Sequence, residues 1–169
     1  MTGAILAGAD ERDIKKLSRL GILIGQAFQI QDDIIGIFDS QKNIGKPILS
    51  DLVESKKTLL VCHAFEKLRS SKRRTFTRYF NKSGKTYRDL VAIRRIFIQT
   101  GSLDYSLGEL KTRVDSALKT LRSLKMRTAY KNMIEHVVHV LFKQSYRIAE
   151  QYKISPSSNG KLSHVFHLK

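Results

Sequence analysis

The chain has 169 residues, 41% of them hydrophobic, with two prolines and one cysteine. That suffices for one ordinary core, and no repeat or Pro/Gly/Ser-rich linker divides it before the last stretch. Its 31 Lys and Arg outnumber its 15 Asp and Glu, a formal charge of +16. Such a balance directs the protein to anionic partners such as phosphates, nucleic acid or acidic membrane surfaces, without choosing among them. Lone Cys62 excludes an internal disulfide and suits a reducing cytoplasm, where it is expected to be an inert thiol.

Residues 1–10, MTGAILAGAD, hold a short apolar stretch that no positive residue precedes, so a secretory signal is not expected. Asp10 is an N-cap candidate with Asp13 three residues on. Ile14, Leu17, Leu20, Ile24 and Phe28 then keep helical spacing, which predicts one long helix to about Phe38. Its second half is apolar almost all round and is expected to sit inside a bundle. Leu20 to Phe38 would nearly span a bilayer, but Gln26, Gln29, Gln31, Asp32 and Asp33 interrupt it. Two central aspartates make insertion costly, so no transmembrane segment is expected.

Residues 39–50, DSQKNIGKPILS, are polar with Gly45 and Pro47 as breakers, and Ser50 is placed to cap a helix from Asp51 to about Leu68. A basic stretch follows from Lys67 to Arg95, with Phe76, Tyr79 and Phe80 interleaved and Asn81 and Gly84 as its break. Thr86 with Asp89 predicts the capped start of a helix through Ile93 and Phe97 to a stop at Gly101. Leu103 to Leu124 and Thr128 to Tyr152 read as two more helices. Residues 1–152 are thus expected to form a single all-α unit and 153–169, rich in Ser and Lys, a poorly ordered tail.

The chemistry concentrates on the first long helix. Positions 29, 32, 33 and 36 are related as i, i+3, i+4 and i+7, so Gln29, Asp32, Asp33 and Gly36 share a face. Adjacent carboxylates among apolar neighbours repel one another and lose hydration, which cations or hydrogen-bond donors must offset. Mg2+ is the economical partner, since it takes hard oxygen ligands and is commonly held by one or two carboxylates together with substrate phosphates. Lys46 in the following loop, and Lys56, expected one and a half turns into the next helix, could flank the same phosphates. Taken singly these features are commonplace, a DD pair being ordinary on a solvated helix surface. The joint pattern is what carries information. His136 and His139, three apart with no acidic or Cys partner nearby, are read as structural.

FQIQDDIIG (28–36) followed by IGKPILSDLVESKKTLL (44–60) resembles the FQ-x-x-DD-x-x-D, GK-x-x-x-D and G-K-x-T series of the trans-prenyltransferases, the polyprenyl diphosphate synthases. GAILAGA near the start and QTGSLDYS (99–106) resemble further segments of these enzymes, so the likeness covers residues 1 to about 150. It implies the C-terminal half of an isoprenoid-synthase-type helical bundle. It further implies that Asp32 and Asp33 bind Mg2+ bridging to an allylic diphosphate, that Lys46 and Lys56 contact its phosphates, and that Phe28 and Gln29 line the reacting pocket. The reaction implied is head-to-tail 1'-4 condensation with isopentenyl diphosphate. Gly36 stands where many members carry a third aspartate, as in geranylgeranyl-type DD-x-x-G variants, and Ser55 stands where a Gly is usual. No first DD-x-x-D motif is present, so the chain is expected to supply one wall of the pocket and to need either a complementary N-terminal half or self-association.

Two other classes compete. One is a non-catalytic helical regulatory subunit or degenerate fragment. The other is a basic nucleic-acid-binding protein built on Lys67 to Arg95, against which stand the absence of any recognition motif and the expectation that the aromatics are core.

Overall fold

The computed structural model describes residues 2–39 and 56–153. Within them the chain is all-α, with seven helices and no strand. These are α1 (Thr2–Leu6), α2 (Glu11–Phe38), α3 (Leu59–Lys67), α4 (Ser70–Asn81), α5 (Tyr87–Gln99), α6 (Ser102–Arg122) and α7 (Thr128–Gln151). Residues 44–51, expected as a loop with Lys46 and Ser50, lie outside the described residues, as do those beyond Lys153, expected as a tail.

The boundaries follow from caps. Asp10 accepts the Asp13 N–H at 2.8 Å and opens α2. Thr86 and Asp89 close a reciprocal capping box at the start of α5. Gly101, at φ +68, turns the chain between α5 and α6 in the left-handed region that glycine enters without steric penalty. The expected helix opening at Ser50 and Asp51 lies outside the described residues, but the helical run expected from there to about Leu68 is not continuous: residues 56–58 are not helical, and α3 starts at Leu59 with Thr58 as N-cap, its hydroxyl accepting the Val61 N–H at 3.4 Å. Thr58 is itself a capping residue, but it stands in a stretch that reads as continuous helix, so the sequence did not mark a start there.

The basic stretch is split more finely than its residues suggest. It ends α3 at Lys67, turns at Leu68 and Arg69, and resumes as α4 with Ser70 at φ +43. No Gly or Pro marks that turn.

Helices α2 and α6 form the central pair, with α7 across both and α3 and α5 against α6. Leu20, Ala27, Ile34 and Phe38 of α2 meet the Leu103, Leu110, Val114 and Leu121 side of α6 in one continuous core. Phe97 of α5 links its two ends, lying 6.4 Å from Phe38 and 5.7 Å edge-on to Phe76, which in turn packs on Phe65 and Phe80. Phe76 and Phe80 are therefore core, as expected of them. Asp13, buried in the first turn of α2, accepts from the Lys16 ammonium and the Lys125 N–H, both at 2.9 Å, and so pins α2 to the turn before α7. Those donors hold its carboxyl below the ordinary range, the Lys16 hydrogen bond foremost.

Candidate functional site

One face of α2 is uncovered. Gly21, Gly25, Phe28 and Asp32 stand at i, i+4, i+7 and i+11 and all are exposed, with Ile22, Gln26 and Gln29 exposed beside them. Phe28 is 42% and Ile22 58% exposed, large values for apolar side chains in the longest helix of the bundle. The expectation that the second half of this helix sits inside the bundle therefore holds for one side of it and is corrected for the other. It is buried along Ala27, Ile30, Gln31 and Ile34 and open along the line through Asp32.

The rotation of α2 that keeps this face outward is fixed by a residue the sequence pattern did not single out for a role. Gln31, only 4% exposed, donates from Nε2 to the Leu141 carbonyl at 2.8 Å, and its Oε1 accepts from the Ser145 hydroxyl at 2.8 Å. Both partners are on α7. A buried amide with both ends satisfied is a strong orienting contact, because slipping the helix would orphan it. Its signal in the sequence was a glutamine standing off the 29/32/33/36 face inside an apolar run.

The C-terminal end of α2 is also held. Its last carbonyls have no intrahelical donors, and the helix has no basic residue in its last turn. Arg94 of α5 supplies the donors, its Nε to the Ile37 carbonyl and a terminal nitrogen to the Asp39 carbonyl at 2.9 Å. Gln144 of α7 donates to the Asp39 carboxylate. Arg94 was legible only as one of many basic residues.

Of the residues expected to share the site, Phe28, Gln29, Asp32 and Asp33 are brought together on the open part of α2. Asp32 is exposed and Asp33 half-buried, and the Gln29 amide donates to Asp33 Oδ1 at 3.3 Å. Gly36 is buried, so the open face closes before the position where a third carboxylate would fall. Lys56 is exposed but precedes α3 rather than lying within it, since the helix begins three residues later. Lys46 lies outside the described residues. His136 is exposed and His139 half-buried near Glu135, at 3.9 Å, and neither belongs to a group of three metal-capable side chains among the described residues.

The donor set fits a hard divalent cation. Two neighbouring carboxylates on an open helix face offer only oxygen, and two protein ligands are what Mg2+ commonly takes when phosphates and water complete its shell. The adjoining Phe28 and Ile22 give the same face an apolar side. An anionic head bound through a cation and an apolar chain laid along the helix would both find matching surface.

The Polyprenyl synthetase family model matches residues 1–96. The chain is 31% identical over 126 residues to the geranylgeranyl diphosphate synthase of Sulfolobus acidocaldarius, covering 75% of this chain and 38% of that protein. It is 36% identical over 115 residues to the geranylfarnesyl diphosphate synthase of Aeropyrum pernix, covering 68% and 35%. The crystal structure of geranylgeranyl pyrophosphate synthetase from Pyrococcus horikoshii Ot3 superposes with a TM-score of 0.69 at 31% identity, over 79% of this chain and 40% of that one. The chain thus spans less than two fifths of the length of these two curated relatives. With the motif residues in order on α2, an all-α fold and a family match over more than half its length, the chain belongs to the polyprenyl synthetase family.

Proposed function

We propose that this chain supplies one wall of a Mg2+-dependent prenyl-transfer site, for head-to-tail condensation of an allylic diphosphate with isopentenyl diphosphate in the cytoplasm. The second wall comes from a complementary segment bearing a first aspartate motif. The observation that carries this reading is the uncovered face of α2, where an apolar side and a carboxylate pair stand together on the helix that matches the family motif. A prenyl diphosphate has the same two halves.

Asp32 and Asp33 hold the cation, and Lys46 and Lys56 donate charge-assisted hydrogen bonds to the phosphates. Phe28 and Gln29 line the pocket beside the reacting carbon. Bound there, Mg2+ supplies charge neutralisation for the departing diphosphate. The allylic C–O bond breaks with its electron pair on the diphosphate oxygen. The isopentenyl double bond attacks the resulting allylic cation, a C–C bond forms and a proton is lost. Lysine ammonium groups aimed at the phosphate oxygens contribute most where leaving-group charge develops, which lowers the barrier rather than merely tightening binding. With one wall alone the allylic cation would meet water, so the isolated chain is inactive.

Co-expression with a chain carrying a DD-x-x-D half of a geranylgeranyl-type synthase, followed by purification and an assay with labelled isopentenyl diphosphate, tests this. A stable complex with Mg2+-dependent incorporation is expected, with none from either chain alone. Neither complex nor incorporation would contradict it.

A further inference from the structure

Residues 67–88 hold nine Lys and Arg and no Asp or Glu. Helix α4 lies at the centre of this segment, with Lys72, Arg73, Arg74 and Arg78 all exposed and no acidic residue in its first turn. Of the nine, Lys82 pairs with Asp89 at 2.7 Å and Lys85 is buried. Arg69, Lys72 and Arg74 meet no carboxylate among the described residues. Between the first turn of α4 and the end of α5 lies an open cleft of about 800 Å³, rimmed by Lys67, Arg69 and Lys72 and lined below by Leu68 and Ile96. On α5, Tyr87, Val91 and Ile98 are 64%, 37% and 44% exposed, at i, i+4 and i+11, with exposed Arg88 and Arg95 alongside.

We infer that the α4–α5 side of the bundle docks on an anionic phospholipid surface, with cations of the 67–78 segment meeting headgroup phosphates and Tyr87, Val91 and Ile98 entering the headgroup and acyl boundary. Juxtaposed basic and apolar groups match the two layers of a lipid interface, where each cation near an acidic surface adds about 1 kcal/mol and aromatic or aliphatic side chains add burial. A nucleic acid would want exposed aromatic rings for stacking or an element shaped to a groove. Here Phe76 and Phe80 are buried and Tyr79 is half-buried with the Arg78 guanidinium 5.8 Å from its ring, while the exposed apolar side chains of α5 are mainly aliphatic. No helix among the described residues is long and apolar enough to cross a membrane, so the contact is with the surface.

The test is co-sedimentation of the full chain with phosphatidylcholine vesicles and with vesicles in which about one third of the lipid is phosphatidylglycerol. Binding is expected to the acidic vesicles only and to weaken as salt rises. The triple variant Arg69→Glu, Lys72→Glu, Arg74→Glu removes three cations and is expected to bind about a hundredfold more weakly or worse. Acidic residues at the start of α4 complement its dipole, so this variant keeps its fold, which circular dichroism checks. Arg12→Glu, Lys143→Glu, Arg147→Glu changes net charge equally at exposed positions on α2 and α7 and should leave binding unchanged. The inference is overturned by absent vesicle binding, by equal binding to neutral vesicles, by an unaffected α4 variant, or by an equally weakened control. Tighter binding of labelled single-stranded RNA or duplex DNA than of acidic vesicles, lost in the same α4 variant, overturns it in favour of nucleic acid.

Discussion

At the scale of single residues the open face of α2 depends on a buried side chain that is not part of it. Gln31 sets the rotation of α2 through two 2.8 Å hydrogen bonds to α7, and Phe28, one turn before it, takes its position from that rotation. Replacing Gln31 with Leu leaves the buried Ser145 hydroxyl without its partner, a loss of about 1–3 kcal/mol. The expected result is a lower urea midpoint with an unchanged slope, and a midpoint unmoved from wild type would show that the amide does not hold the helix. The carboxylate pair stood out in the sequence only through its joint pattern with Phe28, Gln29, Lys46 and Lys56, since a DD pair alone is ordinary on a solvated helix surface. Gln31 and Arg94 did not, because their partners are main-chain carbonyls and a serine brought near by tertiary packing, across sequence separations of 110, 57 and 114 residues.

At the scale of elements, the caps carried most of what could be read. The α2 and α5 starts were visible as Asp10 with Asp13 and Thr86 with Asp89, since capping is local chemistry written within four residues. The starts of α3 and α4 were hidden, since Thr58 stands in a stretch that reads as continuous helix and no breaker precedes α4. The α5 cap also makes a pH prediction. Asp89 accepts from the Lys82 ammonium at 2.7 Å and from the Thr86 N–H and hydroxyl, which pulls its carboxyl down to about 2, the Lys82 bond foremost. The unfolded chain therefore takes up this proton first. The stabilisation is complete above the ordinary aspartate value of 3.8 and is lost as pH falls from there through about 2. Urea midpoints between pH 4 and pH 2 are expected to fall less steeply for Asp89→Asn than for wild type. Parallel slopes would mean that the capping box does not couple to protonation.

At the scale of the whole molecule, the all-α architecture followed from helical periodicity and scarce proline, whereas the open side could not be read from periodicity. A helix apolar all round looks the same in sequence whether it is enclosed by its own chain or by another. The packing separates the two cases. α2 is closed on its Ala27 and Ile34 side and open on its Phe28 and Asp32 side, and α7 presents Tyr130, Met133, Val137 and Val140 exposed at spacings of three, four and three. These uncovered apolar faces of α2 and α7, in a chain spanning under two fifths of these curated relatives, are the surfaces that the proposed second wall would cover. The basic α4 lies in another segment, so membrane docking and prenyl transfer fail separately. The most direct test of the account is turnover of the reconstituted two-chain enzyme with Asp32→Asn and Asp33→Asn together. Both substitutions fall on the open face and should leave the complex intact. Loss of the carboxylates that hold the cation against the leaving group is expected to lower turnover by about 10²–10³ or more. An intact complex with unchanged Mg2+-dependent turnover would contradict the assignment of this face to the reaction.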